Sequence, residues 1–437
     1  MTWGAGIACA ALVAPGVLYL WYVLHFGVNV PFQDTWNGSL PLLQDLNHGR
    51  LSLALLWAPH NENRMLFPNL VLTFLDSVTR MNEHIDMLVS AGLFLIATFL
   101  LCWLACRSLG VHLAWLIPLP WLILGLAQVE NTLWAFQFAW MLVLLCTSVC
   151  LALTELGPNR PLYFGACCVV AVVASLSLLQ GLLIWPVGLV FGVACGWRRR
   201  YGAVWVATGI ATTAGFFWHI GPAQPSVNPL YTLSHPELAA QFFLKLVGAV
   251  FIAHSTLLGA AVCLVALAAA LAAVRSGGWR RLRLPLSLGI LAILFDLLVT
   301  EGRVQFGLSD AGASRYTTYN LLLLAMIYVA AVAAAGPPQS LVELGHLLRL
   351  RSLSSLALVG VAILALCQIA WGVPNGLYVG RVYYVNRTIG AHLLRMYPNE
   401  SAAVLGRYLF YPEGRYVKEW APVLKENHWS VFSDRAD

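Results

Sequence analysis

An all-α bundle of many membrane-spanning helices is the fold class this sequence predicts, and three observations predict it. Hydrophobic residues fill 60% of the 437 positions and charged residues only 10%, where a soluble domain carries about a quarter charged. Mean hydropathy is +0.76. Apolar runs recur along the chain, and each approaches the roughly 20 residues that a helix needs to cross a bilayer. The short alternating segments of a transmembrane barrel are absent.

Taken in order, spans are expected at 4–26, 87–105, 111–127, 133–154, 161–179, 182–196, 202–219, 256–274, 284–300, 317–334 and 353–373, about eleven in all. The first run lacks a positive leading segment and reads as a retained span, not a cleaved signal. Gln180-Gly181 marks a tight turn between two spans. Residues 66–80 and 237–253 are too short or too interrupted to cross and read as juxtamembrane helices lying in the interface. Residues 1–374 form the transmembrane module, with a first outer loop at 27–86. Residues 375–437, rich in Arg, Tyr and Trp (GRVYYVNR, GRYLFYPEGRYVKEW), are expected to form a small outer C-terminal lobe.

Orientation follows the positive-inside rule, which counts short loops. With the N-terminus inside, the short inner connectors hold Arg107, Arg160, Arg198, Arg199, Arg200, Arg275, Arg280, Arg281, Arg283, Arg349 and Arg351. The short outer ones hold Lys245, Arg303 and Arg315. Most acidic residues then fall outside. Arginine outnumbers lysine and alanine is abundant, which points to a GC-rich bacterial genome or its phage. The expected location is the inner (plasma) membrane of a bacterium, with the polar site facing outward.

The ten cysteines all lie inside apolar runs, so they imply neither a disulfide framework nor a zinc site. They read as small residues packing between helices. The net charge of +6 is spread over loops and tail without a basic stripe, which excludes a nucleic-acid partner.

Polar chemistry concentrates in residues 32–64, FQDTWNGSLPLLQDLNHGRLSLALLWAPHNENR. A chain this apolar that gathers carboxylates, histidines and arginines in one loop is holding a reaction centre or a polar ligand there. Asp34 is the first candidate, with Trp36 beside it. The alternative for Asp34 is a helix N-cap. In HNENR, His60, Asn61, Glu62 and Arg64 lie close together after a bend at Pro59. They suit sugar or phosphate binding, or a simple Glu62–Arg64 surface pair. No third ligand joins His60 and Glu62, so a divalent metal is not indicated.

Further along, Glu130, Asn131 and Gln137 lie at the outer mouth of the third and fourth spans, and Gln180 at the turn of the fifth and sixth. Polar groups at such depths face a cavity or pair internally. Arg303, Arg315 and Tyr316 flank the connector between the ninth and tenth spans. Guanidinium groups there suit a phosphate or snorkel to headgroups. Asp296, inside a span, needs a partner in the bundle interior.

The order span, short polar stretch, Asp34, aromatic Trp36, amphipathic segment resembles the GT-C superfamily of membrane glycosyltransferases. So do the many spans and the outer tail. The paired acid frequent in that superfamily is missing, since Thr35 follows Asp34. The resemblance implies a polyprenyl-phosphate sugar donor, a glycan, lipid or protein acceptor outside the membrane, and inversion at the anomeric carbon. It implies Asp34 as general base, with His60 and Glu62 beside it. Trp36, Asn61, Arg64, Glu130, Asn131, Gln137, Gln180, Arg303, Arg315 and Tyr316 would line the substrates. The chemistry fits these residue types. An acceptor hydroxyl needs a base, the departing phosphate needs cations, and phosphate leaves without protonation, so no second carboxyl acid is required. A transporter or lipid flippase, a glycan polymerase or ligase, and a non-catalytic scaffold are the alternatives. A transporter would show paired broken spans in its two halves, and none is evident.

Overall fold

A computed structural model describes residues 3–110, 113–220, 228, 230–251, 256–276, 279–336 and 352–433. Among the described residues the chain is all-α, apart from one short hairpin. The helices are α1 (Trp3–Phe26), α2 (Ser39–Asn47), α3 (Leu53–Trp57), α4 (Leu66–Thr79), α5 (Glu83–Leu109), α6 (Pro118–Ile123), α7 (Val129–Leu133), α8 (Phe138–Leu156), α9 (Pro161–Ser175) and α10 (Ile184–Ala194). They continue with α11 (Arg199–Phe217), α12 (Tyr231–Ser234), α13 (Pro236–Gly248), α14 (Thr256–Arg275), α15 (Trp279–Arg303), α16 (Thr317–Ala335), α17 (Leu353–Arg395), α18 (Ala402–Leu409) and α19 (Gly414–Glu426). Seven of them, α1, α5, α8, α14, α15, α16 and α17, are long and apolar enough to cross a membrane.

Each of the eleven expected spans falls on a helix, but four differ from the expected form. α6, α9 and α10 are short, and α11 begins at two arginines. The shortening has local causes. Proline at 118 and 120 opens α6, and Gln128 Nε2 then caps its end by donating to the Ile123 and Gly125 carbonyls at 2.8 and 2.9 Å. Between α9 and α10 the expected tight turn is a 3-10 segment, Leu179–Leu183. There a side chain at Gly181 would collide with the Ala174 carbonyl. The two expected juxtamembrane helices coincide with α4 and α13. Arg349 and Arg351 of the orientation argument lie outside the described residues.

The tail departs most from expectation. The expected boundary at residue 374 falls inside α17, which runs unbroken for 43 residues through Pro374. At 1.5 Å per residue this is about 65 Å, twice the apolar thickness of a bilayer. Its extension is held by α1, where the Tyr22 hydroxyl donates to the Gly376 carbonyl at 2.9 Å. Beyond it, Leu394, Leu405, Leu409, Val417, Leu424 and Trp429 pack with Val30, Trp36, Leu40, Leu43 and Met81 into one apolar core. First loop and tail thus share a core. Hydrogen bonds from Ser430 N to the Arg80 carbonyl (2.8 Å) and from Asn47 Nδ2 to Asn427 Oδ1 (2.7 Å) close the seam.

At the far end of the bundle, Glu155 accepts from Arg107 Nε at 3.2 Å and Arg283 Nη2 at 2.5 Å. Cys146, Cys150 and Cys167 are buried among Phe164, Trp185, Trp197 and Trp205. All ten cysteines are free thiols, and of the rest Cys9 and Cys367 are exposed. Asp296 is fully buried and accepts from Asn320 Nδ2 at 3.1 Å, which supplies the interior partner its position requires.

Candidate active site

The site is assembled at the loop-and-tail end from four separate stretches. The first is the turn Gln33–Thr35, a single 3-10 turn with Trp36 N donating back to the Gln33 carbonyl at 3.0 Å. Trp36 is fully buried, and its indole N–H donates to the Pro31 carbonyl at 3.0 Å. It anchors the turn in the shared core and presents no open face to a ligand. Asp34, one turn residue before it, is half-buried.

The second stretch is HNENR, which forms a two-stranded hairpin of β1 (Pro59–His60) and β2 (Asn63–Arg64), with Pro59 opposite Arg64 and His60 opposite Asn63. Only two residues, Asn61 and Glu62, turn the corner. Asn61 has φ +51°, the left-handed conformation that tight hairpin turns require and asparagine tolerates. The hairpin carries Glu62 at its tip to Arg303, 2.5 Å from Oε1 to Nη2. His60 lies against the Phe136 ring, centroids 5.1 Å apart, with its Nε2 buried and without a protein partner. Asn61 itself is exposed.

Arg64 goes elsewhere. It is almost fully buried and donates to the carbonyls of Trp57 (2.7 Å), Phe216 (2.5 Å) and Trp218. Carbonyls at a helix C-terminus have no partner within the helix, and a cation is favoured there. Arg64 therefore fastens the hairpin to the end of α11 and stands apart from the Asp34 group. Asn63 fastens the other side, accepting from Leu179 N at 2.9 Å. Gln180 is half-buried next to that contact, with its Oε1 unpartnered.

The third stretch joins α7 to the segment before α16. Glu130 accepts from Arg315 N (2.9 Å), Ser314 Oγ (3.1 Å) and Arg315 Nη1 (3.4 Å). Asp310 lies 3.8 Å from Arg315 Nη2 on the other side. Asn131, buried, donates to the Arg315 carbonyl (2.7 Å) and to Thr318 Oγ1 (2.8 Å), so it positions Arg315 from behind. Tyr316 is buried, its hydroxyl 3.4 Å from Arg315 Nη2. Gln137 is buried in the 3-10 turn after α7.

The fourth stretch is the α17 extension. Arg387 lies directly over the Phe32 ring, two residues before Asp34, and near the ring of Tyr383 at 5.2 Å. Tyr383 and Arg387 are i,i+4 neighbours and share a helix face.

These stretches act on one another electrostatically. Burial raises the Asp34 carboxyl above the ordinary carboxylate range, and His60, Arg315 and Arg303 partly oppose that rise. Burial lowers the His60 imidazole below its usual value, opposed by Asp34 and Glu62. A carboxyl raised above its ordinary range and coupled to a half-buried imidazole is an arrangement suited to accepting a proton. The structure thus brings together Asp34, His60, Glu62, Glu130, Arg303, Arg315 and Tyr316. It does not bring Arg64 or Trp36 to them. Sequence reasoning missed Asp310, Tyr383 and Arg387. The last two stand in GRVYYVNR, and helical spacing carried past Pro374 would have placed them on one face. Among the described residues, no group of three or more His, Cys, Asp or Glu side chains is arranged to hold a metal ion.

No family model matches the chain, and no curated protein matches it in sequence. Among solved structures, the chain is similar to ArnT from Cupriavidus metallidurans, determined bound to undecaprenyl phosphate. Identity is 18%, the TM-score is 0.47, and the match covers all of this chain and 79% of that one.

Proposed function

We propose that this protein is an integral-membrane glycosyltransferase of the GT-C type, which moves a sugar from a polyprenyl-phosphate donor to an acceptor outside the membrane. One observation carries this reading: Asp34 and His60 lie within a cluster of two arginines and further carboxylates at one end of an otherwise apolar bundle. In this reading the acceptor hydroxyl attacks the anomeric carbon and Asp34 takes its proton. The bond from anomeric carbon to phosphate oxygen breaks on the opposite face, so the anomeric configuration inverts. The electron pair leaves on the lipid phosphate, whose growing charge is met by Arg303 and Arg315. His60 orients the base, Glu62 holds Arg303, and Glu130 and Asn131 hold Arg315. Asn61, Gln137 and Gln180 border the sugar and acceptor space.

The test is Asp34→Asn in the full chain, reconstituted in lipid nanodiscs and supplied with polyprenyl-phosphate hexoses and pentoses. Removal of a general base slows transfer on the order of 100- to 10,000-fold, with donor binding retained. Asparagine and aspartate cap helices almost equally. Near-normal transfer by the variant therefore removes Asp34 from the chemistry.

A further inference from the structure

Three arginines border the site, and two of them are already neutralised. Arg303 is paired with Glu62, and Arg315 lies between Glu130 and Asp310. The third is Arg387. Its Nη1 donates to the Tyr408 carbonyl at 2.9 Å, its face rests on Phe32, and its Nε is buried with no hydrogen-bond partner. Among the described residues, no carboxylate lies within ion-pair distance of it. The nearest acidic influence is Glu130, whose oxygens are already taken by Arg315 and Ser314. A guanidinium withdrawn from water without an anion is costly. A carbonyl and an aromatic face offset part of that cost and leave the fork of the group unspent. The position is also particular: Phe32, under the guanidinium, is two residues from Asp34.

We infer that Arg387 is the principal seat of the donor's phosphate, which supplies the anion that this half-buried cation lacks. The inference rests on the reading of the chain as a polyprenyl-phosphate-dependent transferase and names a residue that this reading had not placed. Arg303 and Arg315, each held by carboxylates, then shape the site's outer wall and respond to the extra charge of the departing phosphate. Arg387 meets the phosphate charge already present in the bound donor. Tyr383, one turn earlier on the same face, adds a hydroxyl within reach of the same anion.

The experiment measures binding of polyprenyl phosphate and of the uncharged polyprenol of equal length to the full chain in phosphatidylcholine nanodiscs. Wild type, Arg387→Gln and Arg387→Lys are compared. Glutamine keeps a donor for the Tyr408 carbonyl and most of the stem over Phe32, while lysine keeps the charge and loses the fork. The wild type is expected to prefer the phosphate. Arg387→Gln should lose roughly 10- to 100-fold of that preference, the range of a charge-assisted contact, with polyprenol binding unchanged. Arg387→Lys should keep part of it. An unchanged preference in Arg387→Gln overturns the assignment. Equal displacement of polyprenyl phosphate by phosphatidylglycerol in the nanodisc also overturns it, since the site would then serve bulk headgroups. A wild type that binds phosphate and alcohol equally would fail the donor reading itself, a separate outcome from failure of Arg387. If Arg387→Gln lowers the thermal midpoint, the Arg387→Lys comparison alone decides. Partial loss of the preference in lysine at a native midpoint then supports the assignment, and full retention or total loss in lysine overturns it.

Discussion

Asp34 and His60 show how burial displaces two side chains of ordinary acidity in opposite directions. Burial pushes the carboxyl up and the imidazole down, so their titrations approach each other. A base works only when deprotonated, so transfer should rise with pH through the folded value of Asp34, above the ordinary range near 4. His60, when charged, pulls that value down, so removing it leaves burial less opposed. His60→Asn should therefore move the acid limb of the rate profile to higher pH, measured as initial rates between pH 5 and 9. A limb that stays in place or moves down would separate His60 from Asp34. The sequence announced both residues by their density of polar types in an apolar chain. It could not announce that Trp36 and Arg64, equally prominent, are spent on anchoring. Arg64 is drawn to the Trp57 carbonyl and to two carbonyls at the end of α11, the latter more than 150 residues away, where no local pattern discloses them.

At the scale of elements, α17 decides the geometry. Apolar periodicity marks its membrane half clearly. Its continuation past Pro374 was hidden, because proline in a helix interior ordinarily signals a break. What carries the helix on is tertiary: Gly376 and Gly380 lie flush against Leu126 and Tyr22, and a Cβ at either position would approach within 3 Å of them. Gly380→Ala should force α17 away from α1, destabilising by about 1–3 kcal/mol and tilting Arg387, two turns further on. Gly92→Ala, in α5 with open space around it, should be neutral or slightly stabilising. Thermal midpoints of the two variants in the same detergent compare them directly. Equal midpoints would show that the α1–α17 contact is slack. The hairpin at 59–64 was likewise legible only in part. Pro59 predicted a bend, while the strand pairing depends on Asn61 adopting a left-handed turn.

Over the whole molecule, the polar groups divide between two ends. One carries Asp34, the hairpin, Glu130, Arg315 and the tail. The other carries Arg107, Arg160, Arg198, Arg199, Arg200 and Arg283 in connectors and helix ends. The rule that short cytoplasmic loops are basic assigns the second end to the inside. A reporter that works only outside the cytoplasm should be active when fused after residue 437 and inactive when inserted near Arg199. The reverse pattern would turn the site to the cytoplasm. The positions of the helices were legible because each follows an apolar run, but among the described residues seven, and not the expected eleven, are long and apolar enough to cross a membrane. The sharing of one core between first loop and tail was not legible, since Trp36 and Trp429 stand at opposite ends of the chain.

That shared core has a consequence in time as well as in space. The loop bearing Asp34 is synthesised well before the helix bearing Arg387. At the usual elongation rate the interval is on the order of tens of seconds. Throughout it, Trp36, Leu40, Leu43 and Met81 have no partner from the tail. A nascent chain that stalls before α17 therefore carries Asp34, lacks Arg387, and displays an apolar patch to the chaperones and proteases of the membrane surface. Completion of the site and concealment of that patch are one event, so quality control that reads the patch also reads whether the site is whole.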